Sequence, residues 1–565
     1  MSLPGRPGCG GVALVSGLRE RLIDAGRSLR DVFRNPGLRR IELAFAGSIV
    51  GDWAYAVAVA VYAYGRGGPT AVGVLGVIRY VSLAVITPFT STLGDRYPRR
   101  LVMVSSDLIR AALVAIAAAV ISGGGPPIAV YALAIATAIC GSPFRSAQAA
   151  LLPELAHEPG ELAAANVASS TVESVGFFAG PALAGFMLAV ASIPVVYVFN
   201  AITFVWSAAL VLGLRVPARE GTPSATAAEA RGGFLAEVSA GYREILGNRD
   251  LRVLIGLYCG QTVVAGASLV FTVTIALNLL NIGRSGLGFL NATLGIGGLV
   301  GGFLALMLAQ RGRLARDFGI GVFVWSAPLL LVAAWPTVEA AVAVMILLGL
   351  ANSVVDVNGY TILQRIAPEA AMARVLGAME SAVIGGMALG ALLMPALIAT
   401  IGLRWGLVVV GTGVSSLVIL GTRGLRRIDV IALAPPGLEL LRGVSLLALL
   451  PEPTLERLAR ALVRVETAPG ETVIREGESG DRFYVIETGS VEVTKDGRHV
   501  ANLGPGDFVG EIALLRDVPR TATVTATSET VLQALDRAHF IPAVTGHGDF
   551  HEAAETAMAT RLAML

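Results

Sequence analysis

Twelve stretches of this chain are apolar for long enough to cross a lipid bilayer, and this limits its fold more than any other feature. A crossing needs about 17–25 such residues. Runs near 41–64, 70–93, 101–122, 128–150, 162–188, 191–214, 252–279, 286–309, 318–335, 338–362, 375–400 and 404–422 meet that length. In hydrocarbon every backbone N–H and C=O must be bonded within the protein, so runs of this length fold as helices. The mean hydropathy is +0.70. Charged residues make up 15%, against roughly 25% in a soluble domain. The 67 glycines suit helices whose backbones approach closely.

The loops set an orientation. Taken together, the loops 95–100, 154–161, 215–250, 310–317 and 364–374 are rich in arginine, though 154–161 itself carries none, and the alternate loops, such as "GRGGPT", "GGGPP" and "IGLRWG", are poor in it. Positively charged loops stay on the cytoplasmic side, so both termini are expected there, in a multi-pass protein of the cell membrane. Residues 17–40 are too charged for the apolar core of a signal peptide, and 1–40 reads as a basic cytoplasmic helix. The long middle loop, 215–250, divides the spans six and six, into bundles 41–214 and 251–423. Within it Phe234, Leu235, Val238, Tyr242, Ile245 and Leu246 fall at helical spacing. That stripe fits either an amphipathic helix on the inner membrane surface or a packed connector.

Several classes of function are disfavoured. A net charge of +2 offers nucleic acid no partner. The three cysteines, Cys9, Cys140 and Cys259, are scattered, and the five histidines form no HxH or HExxH pair, so no metal site is expected. No GxxxxGK[ST] loop is present, so the chain reads as no enzyme, with energy drawn from an ion gradient. No TVGYG filter marks it as a channel.

After Thr422 the composition changes. Residues 424–437 read as a linker, and 438–565 as a small soluble β-domain with a helix before it (452–464) and helical sequence after it (536–564). "SVEVTKDGRHVANL" (490–503) alternates around Asp496-Gly497, a strong hairpin signal. "DFVGEIALLRDVPRTATV" (507–524) carries the chemistry. Gly510 permits a tight turn, and Glu511 to Leu515 can start a short helix whose free N–H groups favour an anion. The Arg520 fork matches phosphate oxygens, and Thr521 adds a hydroxyl. Ionised Glu511 only accepts hydrogen bonds, so it suits a hydroxyl-bearing partner. A ribose fused to one phosphate meets all of these needs.

"GEIALL…PRTATV", with the preceding "APGETVIREGESGDRFYVIETGSVEV", resembles the phosphate-binding cassette and β-roll of the cyclic nucleotide-binding domain family, over roughly 438–540. The resemblance implies cAMP or cGMP as a regulatory ligand. Gly510 and Ala513 would give backbone contacts, Glu511 the ribose contact and Arg520 the phosphate contact. Thr521 would sit near phosphate or base, and Leu503 and Val509 would line the base pocket. Ile512 and Ala522 complete the cassette. Val509 stands where the family usually has an aromatic. No helix-turn-helix follows, which separates the chain from transcription factors of this type.

The six-plus-six layout resembles the major facilitator superfamily, a fold of 12 transmembrane helices in two halves. "STLGDRYPRR" (91–100) is similar to its cytoplasmic signature, with Ser91 and Pro98 in place of glycines. There Asp95, Arg96, Arg99 and Arg100 would form a conformational gate. "AQRGRLARDFG", the matching loop of the second half, lacks that aspartate. "GFFAGPALAG", with Gly176, Gly180, Pro181 and Gly185, resembles the antiporter motif of exporters, and Arg145 with Gln148 resembles a second exporter signature. Charges within spans are costly and mark function. Asp52 and Glu173 lie near the expected midplane and are candidates for the coupling proton. Arg79, Asp107, Arg110 and Arg145 are candidate partners, and Asp356 and Glu380 lie nearer the cytoplasmic side. The expected function is a proton-coupled exporter of a small amphiphilic molecule, regulated by cyclic nucleotide. The alternative is a membrane-anchored nucleotide receptor that signals to a partner protein.

Overall fold

The computed structural model describes residues 33–91, 97–156, 159–214, 234–309, 313–368, 371–431 and, with short breaks before 452, 435–545. The chain divides into two compact units, Met1–Ala432 and Leu433–Leu565.

The described part of the first unit is helical. Its elements are α1 (Pro36–Ser91), α2 (Arg99–Ser122), α3 (Pro127–Leu155), α4 (Pro159–Val190), α5 (Ile193–Leu212), α6 (Phe234–Gly247) and α7 (Arg249–Thr274), which ends in a π turn, Ile275–Leu279. Then come α8 (Gly283–Ala309), α9 (Leu314–Ser326), α10 (Leu329–Ala334), α11 (Val338–Ile366) and α12 (Met372–Ile431). Among the described residues, 10 helical segments are long and apolar enough to cross a membrane, α9 and α10 counting as one.

Two of these segments are of double length, 56 residues in α1 and 60 in α12. At 1.5 Å per residue each would run roughly 85 Å, far beyond a core of about 30 Å. Each is interrupted near its middle, at Gly67 and Gly68 in α1 and at Gly402 in α12. Gly68 has φ +59° and Gly402 φ +81°, a region that glycine enters without a Cβ clash. The "GRGGPT" and "IGLRWG" loops expected there are reduced to these one- or two-residue breaks.

Glycines bring the two halves together. A Cβ on Gly288 of α8 would stand 2.3 Å from Gly185 Cα of α4. A Cβ on Gly73 of α1 would stand 2.4 Å from Pro395 Cγ of α12. Gly73 and Pro395 lie within two turns of the breaks in their own helices. Lipid supplies no hydrophobic drive between helices, so such backbone-close van der Waals contact is what holds them.

The arginine-rich end is tied by polar contacts. Arg99 donates to Ala150 O and pairs with Glu154, and Arg100 donates to Leu212 O. Asp429 accepts from the N–H groups of Ala315 and Arg316, and Arg427 pairs with Asp250. These contacts extend α12 through 424–431, the stretch expected to begin a linker. In α6 a Cβ on Gly241 would stand 2.1 Å from Arg374 O. Ile245 is buried while Leu246 is 62% exposed, so this helix packs on one side and leaves Leu246 uncovered.

The second unit opens with α13 (Leu438–Gly443) and α14 (Glu452–Arg460). Eight strands follow: β1 (Val463–Thr467), β2 (Thr472–Ile474), β3 (Arg482–Thr488), β4 (Val491–Lys495), β5 (Arg498–Leu503), β6 (Phe508–Val509), β7 (Thr523–Ala526) and β8 (Thr530–Asp536). α15 (Glu511–Arg516) lies between β6 and β7, and α16 (Arg537–Thr545) ends the described chain. The helical sequence expected beyond 545 lies outside the described residues. The strands form two antiparallel sheets, β1-β8-β3-β6 and β2-β7-β4-β5. Side chains of β3 alternate between two cores, as the two-residue period requires. Phe483 and Val485 join the flanking helices, with Phe483 stacked 4.6 Å from Phe540. Tyr484 and Ile486 fill the space between the sheets. The β4–β5 hairpin turns at Asp496 and Gly497, both with positive φ, and pairs Lys495 with Arg498.

Candidate functional site

In the second unit, β6 delivers Val509 to a turn at Gly510, whose φ is +93°. A Cβ there would meet Arg520 Nη1 at 2.5 Å and Arg482 O at 2.8 Å, so the position calls for glycine on both counts. α15 starts immediately after it. Arg520 follows on the strand-bound return, fixed by its N–H to Glu478 O at 2.8 Å and by Gly477 N–H to its own carbonyl at 2.9 Å. Its guanidinium is buried at 6% exposure. It donates from Nη1 to Gly510 O at 3.1 Å and from Nη2 to Arg482 O at 2.8 Å. Burial lowers the Arg520 pKa, and Tyr484, Asp481, Glu511 and Glu478 oppose that shift. A guanidinium has five N–H donors. The described bonds occupy two of them, which leaves three to meet an anion.

Leu503, Val509, Gly510, Glu511, Ile512, Ala513, Arg520, Thr521 and Ala522 all line one cavity of about 150 Å³. Its other wall adds Ile474, Val493, Val500, Ala501 and Val524. None of these five belongs to the cassette motif, and all five lie on β2, β4, β5 and β7, whose alternation of apolar and polar residues was their signal in the sequence. The cavity thus has a cationic and polar end beside an apolar wall, and Glu511 is buried at 4% exposure. That shape suits an anion joined to a flat, largely apolar ring.

The membrane unit holds two kinds of charge cluster. In the first half Arg110 pairs with Asp52 on α1 and, at 3.4 Å, with Asp107. Its guanidinium also lies 3.9 Å from the centre of the Phe204 ring. Arg145 of α3 pairs with Glu173 of α4. Arg79 is exposed and joins neither pair. Glu42, at the start of a span and outside the expected charge set, is 3% exposed and accepts from Ser169.

In the second half the carboxylates have neutral partners. Asp356 accepts from Tyr258 OH at 2.5 Å and from Asn352 Nδ2 at 2.9 Å. Glu380 accepts from Tyr360 OH. The Tyr258 and Tyr360 rings meet edge to face, 6.3 Å apart. Gln261 donates to Asn352 at 3.1 Å. Among the described residues no arginine or lysine pairs with Asp356 or Glu380.

Gly176 and Gly180 press α4 onto α1, since a Cβ would stand 2.6 Å from Ile49 Cγ2 and 2.5 Å from Trp53 Cβ. Gly185 meets α8, and α4 runs unbroken through Pro181. Of the expected gate, Arg99 and Arg100 bind the carbonyls and carboxylate named above, while Asp95 and Arg96 lie outside the described residues.

Residues 41–316 match the Major Facilitator Superfamily, and residues 464–546 match the cyclic nucleotide-binding domain. A cAMP-dependent protein kinase regulatory subunit from Yarrowia lipolytica is 45% identical over 102 residues, 18% of this chain and 27% of that protein. One from Dictyostelium discoideum is 44% identical over 110 residues, 18% of this chain and 34% of that protein. The chain therefore spans about a third or less of the length of these relatives. Among solved structures, the regulatory domain of Toxoplasma gondii PKA with cAMP matches at 26% identity and a TM-score of 0.20, covering 22% of this chain and 48% of that one. The chain is a multi-pass membrane protein that joins a Major Facilitator Superfamily domain to a C-terminal cyclic nucleotide-binding domain.

Proposed function

We propose that this protein is a proton-coupled secondary transporter that exports a small amphiphilic molecule across the cell membrane through twelve crossings, and that cAMP regulates it from the cytoplasm. One observation carries the regulatory half of this reading. Arg520 is buried with donors to spare in a cavity that also holds Glu511 and an apolar wall. That arrangement supports a phosphate-binding role for Arg520, a ribose role for Glu511 and a base-packing role for Leu503 and Val509. The relatives' names favour cAMP over cGMP. The nucleotide would act only through its different affinity for the two access states, and about 1.4 kcal/mol of difference shifts their balance tenfold.

The transport half rests on the superfamily match and on the carboxylates within the spans. Asp52 and Glu173 each pair with an arginine. Asp356 faces only neutral donors and the acidic Glu380. A carboxylate without a cation is expensive in a membrane, so Asp356 is the better proton carrier, with Glu380 beside it. The close glycines of α4 and α8 support an exporter-like rocking of the halves.

The first experiment is calorimetric titration of the purified full-length protein with cAMP and with cGMP, beside Arg520→Ala. Two charge-assisted hydrogen bonds contribute about 3 kcal/mol or more, so the variant should bind cAMP at least about 100-fold more weakly. Equal binding by both proteins would remove Arg520 from the site. No binding by the wild type would leave the β-domain without a nucleotide role.

A further inference from the structure

The membrane unit contains a second cavity, of about 270 Å³, between α8, α9 and α11. It lies outside the charge clusters assigned to transport. α8 and α11 touch backbone to backbone at Gly297 and Gly301, where a Cβ would stand 2.1 Å from Ile346 O and 2.4 Å from Leu350 O. Further along α8, Leu304 and Leu308 line the cavity. Ile320 and Val324 of α9 and Val354 of α11 complete an apolar slot. At its mouth stand Arg313 and Arg316. From Arg313 to Val324 the helix rises roughly 16 Å, about half of a core of ~30 Å. The slot therefore runs from the arginine-rich end toward the middle of the bilayer.

The charges at the mouth are uncommitted. Both arginines are exposed, and neither guanidinium has a hydrogen bond or ion pair among the described residues. Asp317, beside them, is engaged in an interaction of its own. The helix-start N–H groups of Ala315 and Arg316 are taken by Asp429, so the start of α9 is already satisfied. Arginines at a span end ordinarily snorkel to water over filled apolar surface. Here the surface beneath them opens into a slot.

We infer that this slot binds an anionic phospholipid from the leaflet at the arginine-rich end, with its phosphate on Arg313 and Arg316 and an acyl chain along Leu308, Ile320 and Val324. Basic pockets between spans on that side suit anionic headgroups, and the apolar slot separates a lipid from a free phosphate.

Native mass spectrometry of the purified full-length protein, titrated with phosphatidylglycerol and with phosphatidylcholine, tests this. The wild type should retain phosphatidylglycerol in preference to phosphatidylcholine, and millimolar inorganic phosphate should not displace it. Arg313→Gln with Arg316→Gln should weaken phosphatidylglycerol binding about thirtyfold, the factor expected for two basic residues at a membrane surface. Ile320→Trp, which fills the slot and keeps both arginines, should weaken it as well. Equal retention of the two lipids by the wild type would overturn the proposal. So would displacement by inorganic phosphate, or unchanged phosphatidylglycerol binding in both variants. The lipid preference and the phosphate competition are read on the wild type, so the result does not depend on the variants folding.

Discussion

Arg110 and Arg520 are each 6% exposed, yet their charges are balanced differently. Arg110 has two carboxylates and an aromatic face around it. Arg520 has two carbonyls and, at 3.8 Å, an exposed Asp481. A buried charge without a close counter-ion costs stability, so an anion in that cavity has more to gain. The same contrast separates Asp356 from Asp52. We expect Asp356→Asn to abolish the response of transport to an imposed pH gradient in proteoliposomes while the protein still folds, because asparagine keeps an acceptor for Tyr258. Asp52→Asn should keep the proton response but lower the folded yield, since Arg110 then faces Asp107 alone. A proton response unchanged by Asp356→Asn would exclude Asp356 as the carrier. The sequence showed Asp356 as a charge inside a span, and Asn352 could be read as its neighbour one helical turn away. Tyr258 could not, because the contact joins residues 98 positions apart.

At the scale of the element, the glycines that matter are those where another backbone stands in the way. Gly288→Val would drive its side chain into Gly185. Overpacking of this kind costs about 1–3 kcal/mol, and we expect a lower thermal midpoint in detergent. Gly302→Ala, with nothing within 4 Å of the new Cβ, should leave the midpoint in place or raise it slightly. A neutral Gly288→Val would mean that α4 and α8 are free to separate at that end. The small residues of 176–185 were visible as a pattern, but their partners were not. Gly185 needs Gly288 opposite it, and no local spacing gives that pairing. The hairpin at Asp496-Gly497 was legible because its turn and register are local. The extension of α12 through 424–431 was not, because Asp250 and the N–H groups of Ala315 and Arg316 hold it from elsewhere in the chain. The breaks at Gly67–Gly68 and Gly402 fell where turn residues suggested loops, but composition could not tell a one-residue break from a loop.

At the scale of the whole molecule, the question is whether nucleotide bound to one unit changes the other. The sequence provides a reporter. Trp53, Trp206, Trp325, Trp335 and Trp405 are its 5 tryptophans, and all fall within Met1–Ala432. Tryptophan fluorescence during heating therefore follows the membrane unit, while calorimetry follows both. A ligand at 100 times its Kd stabilises the state that binds it by about 2.7 kcal/mol, so cAMP should raise the calorimetric transition of the C-terminal unit. If the units are coupled, the tryptophan transition should move as well, and Arg520→Ala should cancel both shifts. Coupling is reciprocal for binding, so a substrate that shifts the tryptophan transition should then change cAMP affinity by the same factor that cAMP changes its own. A calorimetric shift with a stationary tryptophan transition would point to a nucleotide receptor on a membrane anchor. A joint shift that Arg520→Ala abolishes would make the nucleotide an effector of the transporter itself.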